Sequence, residues 1–149
     1  MAGGDRRNFR FPLGRDRPQT LGLQDGSLAP CPNTPNCVGS QATDPDHAIA
    51  ALSYSGSPRQ AMQALKQVID DSVRAEVLKA EDGYLYAEFT SRLMGFVDDV
   101  EFAFDPERSQ IQLRSASRLG ESDLGVNRKR IETIRAQFEA LVEPAASAP

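Results

Sequence analysis

The chain has 149 residues, of which 40% are hydrophobic, and a formal net charge of −4. This length predicts one domain with a substantial core. Nucleic-acid binding requires a basic face, so an acidic chain of this kind argues against a nucleic-acid partner. The apolar runs fall far short of the roughly 20 residues of a membrane span, and no signal peptide follows Met1. The sequence as given therefore predicts a soluble cytoplasmic protein.

The first 48 residues are rich in proline and glycine and show no periodic apolar pattern. This composition predicts an irregular arm over residues 1–48, an α+β domain at 49–142 and a flexible tail at 143–149. The arm begins with the basic residues Arg6, Arg7, Arg10, Arg15 and Arg17. We interpret this stretch as solvated, with peripheral contact to an anionic membrane as the alternative, because basic arms without apolar anchors bind bilayers weakly.

Two amphipathic helices are predicted. Ser57 and Pro58 have the pattern of an N-cap followed by proline at the first helical position, and apolar residues then recur at helical spacing over residues 58–72. Asn127 is expected to cap a second helix, whose apolar stripe continues to Val142.

Strands are predicted at residues 74–80, 84–92, 98–105 and 110–118, with a short edge strand at 49–54 before the first helix. Asp82-Gly83 is a typical hairpin turn. The predicted fold is therefore an α+β two-layer sandwich, in which an antiparallel meander of four to five strands packs both helices on one face.

The alternation of apolar and polar residues assigns the two faces of this sheet. The face toward the helices receives Leu85, Ala87, Phe89, Ser91, Asp98, Val100, Phe102, Phe104, Ile111, Leu113, Ser115 and Ser117. The opposite face, expected to be solvated, receives Glu88, Thr90, Arg92, Asp99, Glu101, Arg114 and Arg118. On that outer face we expect two cross-strand ion pairs, Arg92 with Asp99 and Glu101 with Arg114.

Cys31 and Cys37 enclose five residues, two of them prolines that bend the loop. This spacing favours a disulfide, which would contribute ~2 kcal/mol on the chain-entropy model. Free thiols are the first alternative. A zinc site with His47 is the second, although three ligands fall short of the four that structural zinc prefers. We expect neither a metal nor another cofactor, and we interpret His47 as a residue of the surface or of loop packing.

A polar patch is predicted where the fourth strand meets the last helix. Asp98, Ser115 and Ser117 interrupt the core face at one end of the sheet, and buried polar groups need partners. A helix N-terminus next to them would supply free N–H groups and a partial positive charge. The predicted binding residues for an anion or a partner's carboxylate are Arg118, Ser115, Ser117, Asp98, Asn127, Arg128 and Arg130.

Three interpretations of this patch remain open. In the first, the domain is a non-enzymatic binding or assembly factor for a small anionic ligand or a protein partner. In the second, it is a small hydrolase or transferase that uses Ser117, Asp98 and Arg118. In the third, the arginines pair internally and the patch only holds the fold together. A deep pocket with Asp98 exposed would favour an enzyme, whereas a filled patch would favour a scaffold.

Three blocks of the sequence resemble the domain of unknown function 1499 family: CPNTPNCV from Cys31, EFTSRLMGFVDDVEF from Glu88 and RSASRLGESDLGVNRKR from Arg114. The resemblance covers roughly residues 22–142. The family occurs in bacteria, cyanobacteria and plastids, and residues 21–30 look most like cyanobacterial and plastid members. The resemblance brings no established activity. It implies a role near photosynthetic membranes and, if a leader is missing, a location in the thylakoid lumen or periplasm.

Overall fold

A computed structural model of the chain describes residues 16–93, 95–120 and 123–142. The strands are β1 (Cys37–Gly39), β2 (Leu52–Ser53), β3 (Ala75–Glu81), β4 (Tyr84–Thr90), β5 (Val97–Asp105) and β6 (Gln110–Ser117), and the helices are α1 (Pro58–Asp70) and α2 (Val126–Leu141). The arginines predicted to form a solvated stretch before residue 16 and the predicted tail at 143–149 lie outside the described residues. No described helix is long and apolar enough to cross a membrane.

The six strands form one antiparallel sheet in the order β1-β6-β5-β4-β3, and β2 also pairs with β6. β1 lies beside one end of β6, where Cys37 is opposite Ala116. β2 lies beside the other end, where Leu52 is opposite Ile111. β1 belongs to the segment that was expected to be irregular, and its three residues are too few to show an alternation in the sequence. The predicted α+β fold is confirmed.

Helix α1 begins as its sequence predicts. Ser57 is the N-cap, its hydroxyl oxygen accepts a hydrogen bond from the Gln60 N–H at 3.1 Å, and Pro58 occupies the first helical position. The helix ends at Asp70, two residues before the predicted end. Its buried residues are Ala61, Leu65, Val68 and Ile69.

Helix α2 begins differently from the prediction. Gly125 is the N-cap, with a φ of 81° that favours glycine, and Asn127 lies inside the helix. The Asp123 carboxylate accepts hydrogen bonds from the backbone N–H groups of Gly125 at 2.8 Å and Asn127 at 3.1 Å. The expected Asn127 cap is therefore wrong, and a carboxylate two residues before the N-cap satisfies the free N–H groups instead.

The main core lies between the helices and one face of the sheet, as predicted. From the sheet it contains Leu85, Ala87, Val100, Phe102, Ile111 and Leu113, and from α2 it contains Ile131, Ile134 and Phe138. Phe102 is fully buried. The predicted inward face is thus confirmed.

The opposite face of the sheet is covered rather than solvated. Asp99, Glu101 and Arg114 are only 2%, 1% and 8% exposed. A second apolar cluster, formed by Leu21 and Leu28 of the arm with Tyr84, Tyr86, Ala103 and Leu78, lies on this side of the sheet. The expectation of a solvated outer face is therefore wrong at these positions, because the arm folds back over it.

Burial also changes the ion pairs of this face. Asp99 pairs with Arg118 instead of Arg92. Glu101 and Arg114 are opposite each other in register, yet no ion pair within 4.0 Å joins these two described residues. The carboxylate of Glu101 accepts hydrogen bonds from the Tyr84 hydroxyl at 2.5 Å and the Gly22 N–H at 2.7 Å. Both predicted pairs are wrong, since the arm and the tyrosines supply the partners.

Candidate functional site

Five of the seven predicted patch residues come together on the helix side of the sheet. The five are Asp98, Ser115, Ser117, Asn127 and Arg130, and together with Asp123 they form what we call the inner cluster. Asn127 is its centre, because its Oδ1 accepts from the Ser115 hydroxyl at 2.6 Å and from Arg130 Nη1 at 2.8 Å. Its Nδ2 donates to Ser117 Oγ at 2.9 Å and to Asp123 at 2.7 Å.

Asp98 in the inner cluster is paired with Arg130. Arg130 Nη2 lies 2.8 Å from Asp98 Oδ2, and the guanidinium also lies 4.8 Å from the centre of the Phe89 ring. Burial raises the pKa of Asp98 above its usual range, although Arg130 opposes that rise. Asn127 and Ser115 are fully buried. The inner cluster is therefore filled by its own hydrogen bonds, which is the arrangement expected of a scaffold.

Arg118 and Arg128 lie outside the inner cluster. Alternate residues of a strand point to opposite faces, so Arg118 lies on the face opposite Ser117. Arg128 donates to the backbone carbonyl oxygens of Ala48 at 2.9 Å and Asp46 at 3.3 Å, which ties α2 to the loop before β2. The structure consequently does not bring Arg118 together with Ser117 and Asp98.

Arg118 instead belongs to a second group of charged side chains and tyrosines on the outer face. We call this group the outer cluster, and it comprises Tyr84, Tyr86, Glu88, Asp99, Glu101, Arg114 and Arg118. Arg118 holds Asp99 with two hydrogen bonds of 2.9 Å each and Glu88 with one of 2.7 Å. Burial works to lower the pKa of Arg118, but these carboxylates outweigh it and the pKa is raised. Arg17 of the arm adds a contact of 2.6 Å to Glu88.

The two tyrosines act as hydrogen-bond donors in this cluster. The hydroxyl of Tyr86 donates to Asp99 Oδ1 at 2.5 Å, and that of Tyr84 donates to Glu101 Oε2 at 2.5 Å. Burial, followed by the hydrogen bond to the carboxylate, raises the pKa of both hydroxyls above the usual range. Both side chains therefore stay protonated and stabilise buried negative charge.

Arg114 is the least satisfied member of the outer cluster. Its Nη2 donates a long hydrogen bond of 3.3 Å to the Pro30 carbonyl oxygen. Its Nε is buried and has no hydrogen-bond partner among the described residues. Burial lowers the pKa of Arg114 although Glu101 and Asp99 oppose that shift. A buried guanidinium with so few partners is costly and calls for a further acceptor.

A cavity of about 390 Å³ lies next to Arg114. The arm forms one wall with residues 27–31, the loop after β1 forms another with residues 39 and 41–44, and β6 closes it with Leu113 and Arg114. The lining combines apolar residues such as Leu28 and Ala42 with the polar residues Gln41 and Thr43. A volume of this size is in the range of small-molecule sites, roughly 300–1,000 Å³.

The predicted disulfide forms part of this wall. Cys31 and Cys37 are bonded, with their Cα atoms 5.7 Å apart. Cys31 lines the cavity, and Cys37 begins β1. The bond consequently fixes the arm to the sheet edge, and it leaves neither thiol for the alternative zinc site.

His47 packs the loop beside the cavity. Its Nδ1 lies 2.6 Å from Asp44 Oδ2 and its Nε2 lies 2.8 Å from the Thr34 carbonyl oxygen. Both ring nitrogens thus face acceptors, which favours the doubly protonated imidazolium. The Thr34 carbonyl, followed by the Asp44 carboxylate, raises the pKa of His47 above its usual range. His47 is therefore a loop-packing residue.

This geometry predicts a pH-dependent contribution to stability. A histidine whose pKa is higher in the folded state than in the unfolded state stabilises the folded state. This contribution is fully present below the unfolded-state pKa of about 6.5 and is lost as pH rises through the folded-state pKa. The pKa of Asp44 is lowered by its bond to His47, so Asp44 is ionised at mildly acidic pH. We expect His47→Gln to lower Tm more at about pH 5.5 than at about pH 8.5. A Tm difference that is equal at both pH values would contradict a charged His47.

The roles of Tyr84 and Tyr86 and the burial of Glu101 and Arg114 were not predicted from the sequence. Tyr84 and Tyr86 alternate with Leu85 and Ala87, so both faces of β4 carry bulky or apolar side chains. That pattern is typical of a strand covered on both sides. This alternation in β4 was the signal in the sequence that another part of the chain covers the outer face.

The fold and the two clusters define a class of protein, an α+β domain with an open six-stranded antiparallel sheet and two helices on one face. The model of a family described as "Protein of unknown function (DUF1499)" matches residues 27–138, and the chain belongs to that family. The match includes the disulfide, the cavity and both clusters. Searches of the curated proteins and of the solved structures found no match to the chain.

Proposed function

We propose that this domain is a non-enzymatic binding protein that holds the anionic group of a small ligand at Arg114, in the cavity beneath the arm. The observation that carries the proposal is the state of Arg114. It is 8% exposed, its Nε has no partner among the described residues, and it lines a cavity of about 390 Å³. An anion in that cavity would supply the charge-assisted hydrogen bonds that the protein itself does not.

The cavity is a better candidate than the patch predicted from the sequence. The arginine of the inner cluster already donates to Asp98, Asn127 and Ser115. An anion there would have to displace these partners, and removing one partner from a buried pair is strongly unfavourable. Among the described residues, Arg114 has no such competitor within hydrogen-bond distance apart from the Pro30 carbonyl oxygen.

The groups around the cavity support binding rather than catalysis. Asp44 is the one carboxylate among the described lining residues, and it is held by His47. Both ring nitrogens of His47 are engaged, so this imidazole is not placed as a general base for a hydroxyl on the cavity wall. Ser117 and Asp98, the residues of the hydrolase hypothesis, belong to the filled inner cluster on the other side of the sheet.

Native mass spectrometry of the protein purified from its own host tests this proposal. We expect the wild-type protein to carry a non-covalent small-molecule adduct that Arg114→Gln lacks. Arg108→Gln is the matched control, because Arg108 is exposed and pairs with Asp105 at the end of β5. A wild-type mass without an adduct, or an adduct that Arg114→Gln retains, would overturn the proposal.

A further inference from the structure

We infer that the ligand is a monocarboxylate with an apolar body, an inference that rests on the function proposed for the Arg114 cavity. Three features of the cavity favour such a ligand: its charge, the shape of its cationic group and the composition of its walls.

The charge around the cavity suits one negative charge and not two. Arg114 is the only lysine or arginine among the described residues that line it. Asp44 is on the same lining, and Glu101 and Asp99 lie close enough to act on the charge of Arg114. A dianion such as phosphate would meet one cation and several carboxylates. A monoanion would match the one cation.

The guanidinium itself favours a planar anion. Its N–H donors form a fixed fork that fits the two oxygens of a carboxylate. Gln41 adds a second donor, because its Oε1 accepts the Leu28 N–H at 3.1 Å and its Nε2 has no partner among the described residues. A carboxylate therefore finds complementary donors on two walls of the cavity.

The remaining walls combine apolar and polar residues. Leu28, Ala29, Pro30, Cys31 and Ala42 form the apolar part, beside Ser27 and Thr43. Burial of apolar ligand surface against such walls is favourable, at roughly 25 cal/mol per Å². A small inorganic anion would leave these walls without a partner, whereas an aliphatic chain would cover them.

The test is a titration of the isotopically labelled protein, followed by two-dimensional amide NMR. Three probes separate the contributions: hexanoate carries the charge and the apolar chain, 1-hexanol carries the chain alone, and inorganic phosphate carries the charge alone. We expect hexanoate to give saturable shifts at the amides of Leu28, Gln41 and Arg114. Hexanol and phosphate should leave these amides unchanged at the same concentration.

Variants identify the role of the cation. Loss of a charged hydrogen-bonding partner corresponds to about 10- to 100-fold in affinity, so Arg114→Gln should weaken hexanoate binding by that factor. Arg114→Lys keeps the charge but not the planar fork of donors. Its affinity for hexanoate should fall between those of the wild type and Arg114→Gln. Arg108→Gln should bind like the wild type. The amide spectrum of each variant shows directly whether it is folded.

The possible results distinguish the inference from the proposal beneath it. Shifts by phosphate but not hexanoate, lost in Arg114→Gln, would overturn the monocarboxylate and keep the anion site. Equal shifts by hexanol and hexanoate that are unchanged in Arg114→Gln would overturn both the monocarboxylate and the anion site. The absence of shifts at these amides with all three probes would also overturn both.

Discussion

Replacing Arg118 by alanine should lower the free energy of unfolding by about 3–5 kcal/mol, the usual cost of removing one partner from a buried ion pair. Arg118 makes two hydrogen bonds to Asp99 and one to Glu88, and the Asp99 side chain is only 2% exposed. Without the guanidinium, Asp99 would keep the Tyr86 hydroxyl as a partner but lose its cation. Urea unfolding followed by circular dichroism measures the change.

Arg108→Ala is the matched control for this experiment. Arg108 forms a pair with Asp105 on the surface, 3.0 Å apart, with 74% of the arginine side chain exposed. Such exposed pairs contribute less than about 1 kcal/mol. If Arg118→Ala lost no more stability than Arg108→Ala, the outer cluster would not be a buried network and the arm would not cover it.

Arg130→Ala should lower the free energy of unfolding by about 3 kcal/mol at pH 7, because it leaves Asp98 buried without its cation. The loss should become smaller at lower pH. Burial already raises the pKa of Asp98, and removal of Arg130 would raise it further, so the variant's Asp98 accepts a proton as pH falls. A protonated Asp98 needs no cation, and the folded state that binds this proton gains stability relative to the unfolded state.

The difference in unfolding free energy between wild type and variant, measured at about pH 7 and about pH 4.5, tests the prediction for Arg130. Asp98→Asn supplies the control, because an amide at this position carries no charge to be left unpaired. Adding Arg130→Ala to Asp98→Asn should cost clearly less than Arg130→Ala alone. A cost that is the same in both backgrounds would show that the guanidinium acts through Asn127 and Phe89 rather than through Asp98.

The sequence predicted the elements whose signals are local. Ser57-Pro58 marked the start of α1, and the alternation through Phe102 placed the core on the correct face. The spacing of Cys31 and Cys37 predicted their disulfide. In each case the decisive interactions lie within one element or between neighbouring residues, so a pattern of residue types is enough to define them.

The features that were missed depend on distant parts of the chain. Gly22 reaches Glu101, and Pro30 reaches Arg114, across about half of the sequence. No periodic pattern in the arm announced that it folds back over the sheet. Glu101 and Arg114 therefore had the appearance of solvated outer residues, and the cavity between arm and sheet could not be foreseen.

The structure divides the predicted patch for a related reason. Arg118 and Arg128 were grouped with Ser117 and Arg130 because they are near in sequence, but the period of a strand separates Ser117 from Arg118, and that of a helix separates Arg128 from Arg130. Arg130 joined the inner cluster, whereas Arg118 joined the outer one. Asp98 and Asp99 divide in the same way, so adjacent residues of β5 anchor the clusters on both sides of the sheet. This anchoring gives the cavity a fixed wall, which favours a preorganised site.

A crystal structure of the wild-type protein grown with hexanoate is the most direct measurement of whether Arg114 is a ligand-binding residue. We expect the carboxylate of hexanoate within hydrogen-bond distance of the Arg114 guanidinium and its chain against Leu28 and Ala42. An empty cavity in which the guanidinium of Arg114 has turned to form a direct ion pair with Glu101 would contradict it, because the protein would then satisfy its own charge.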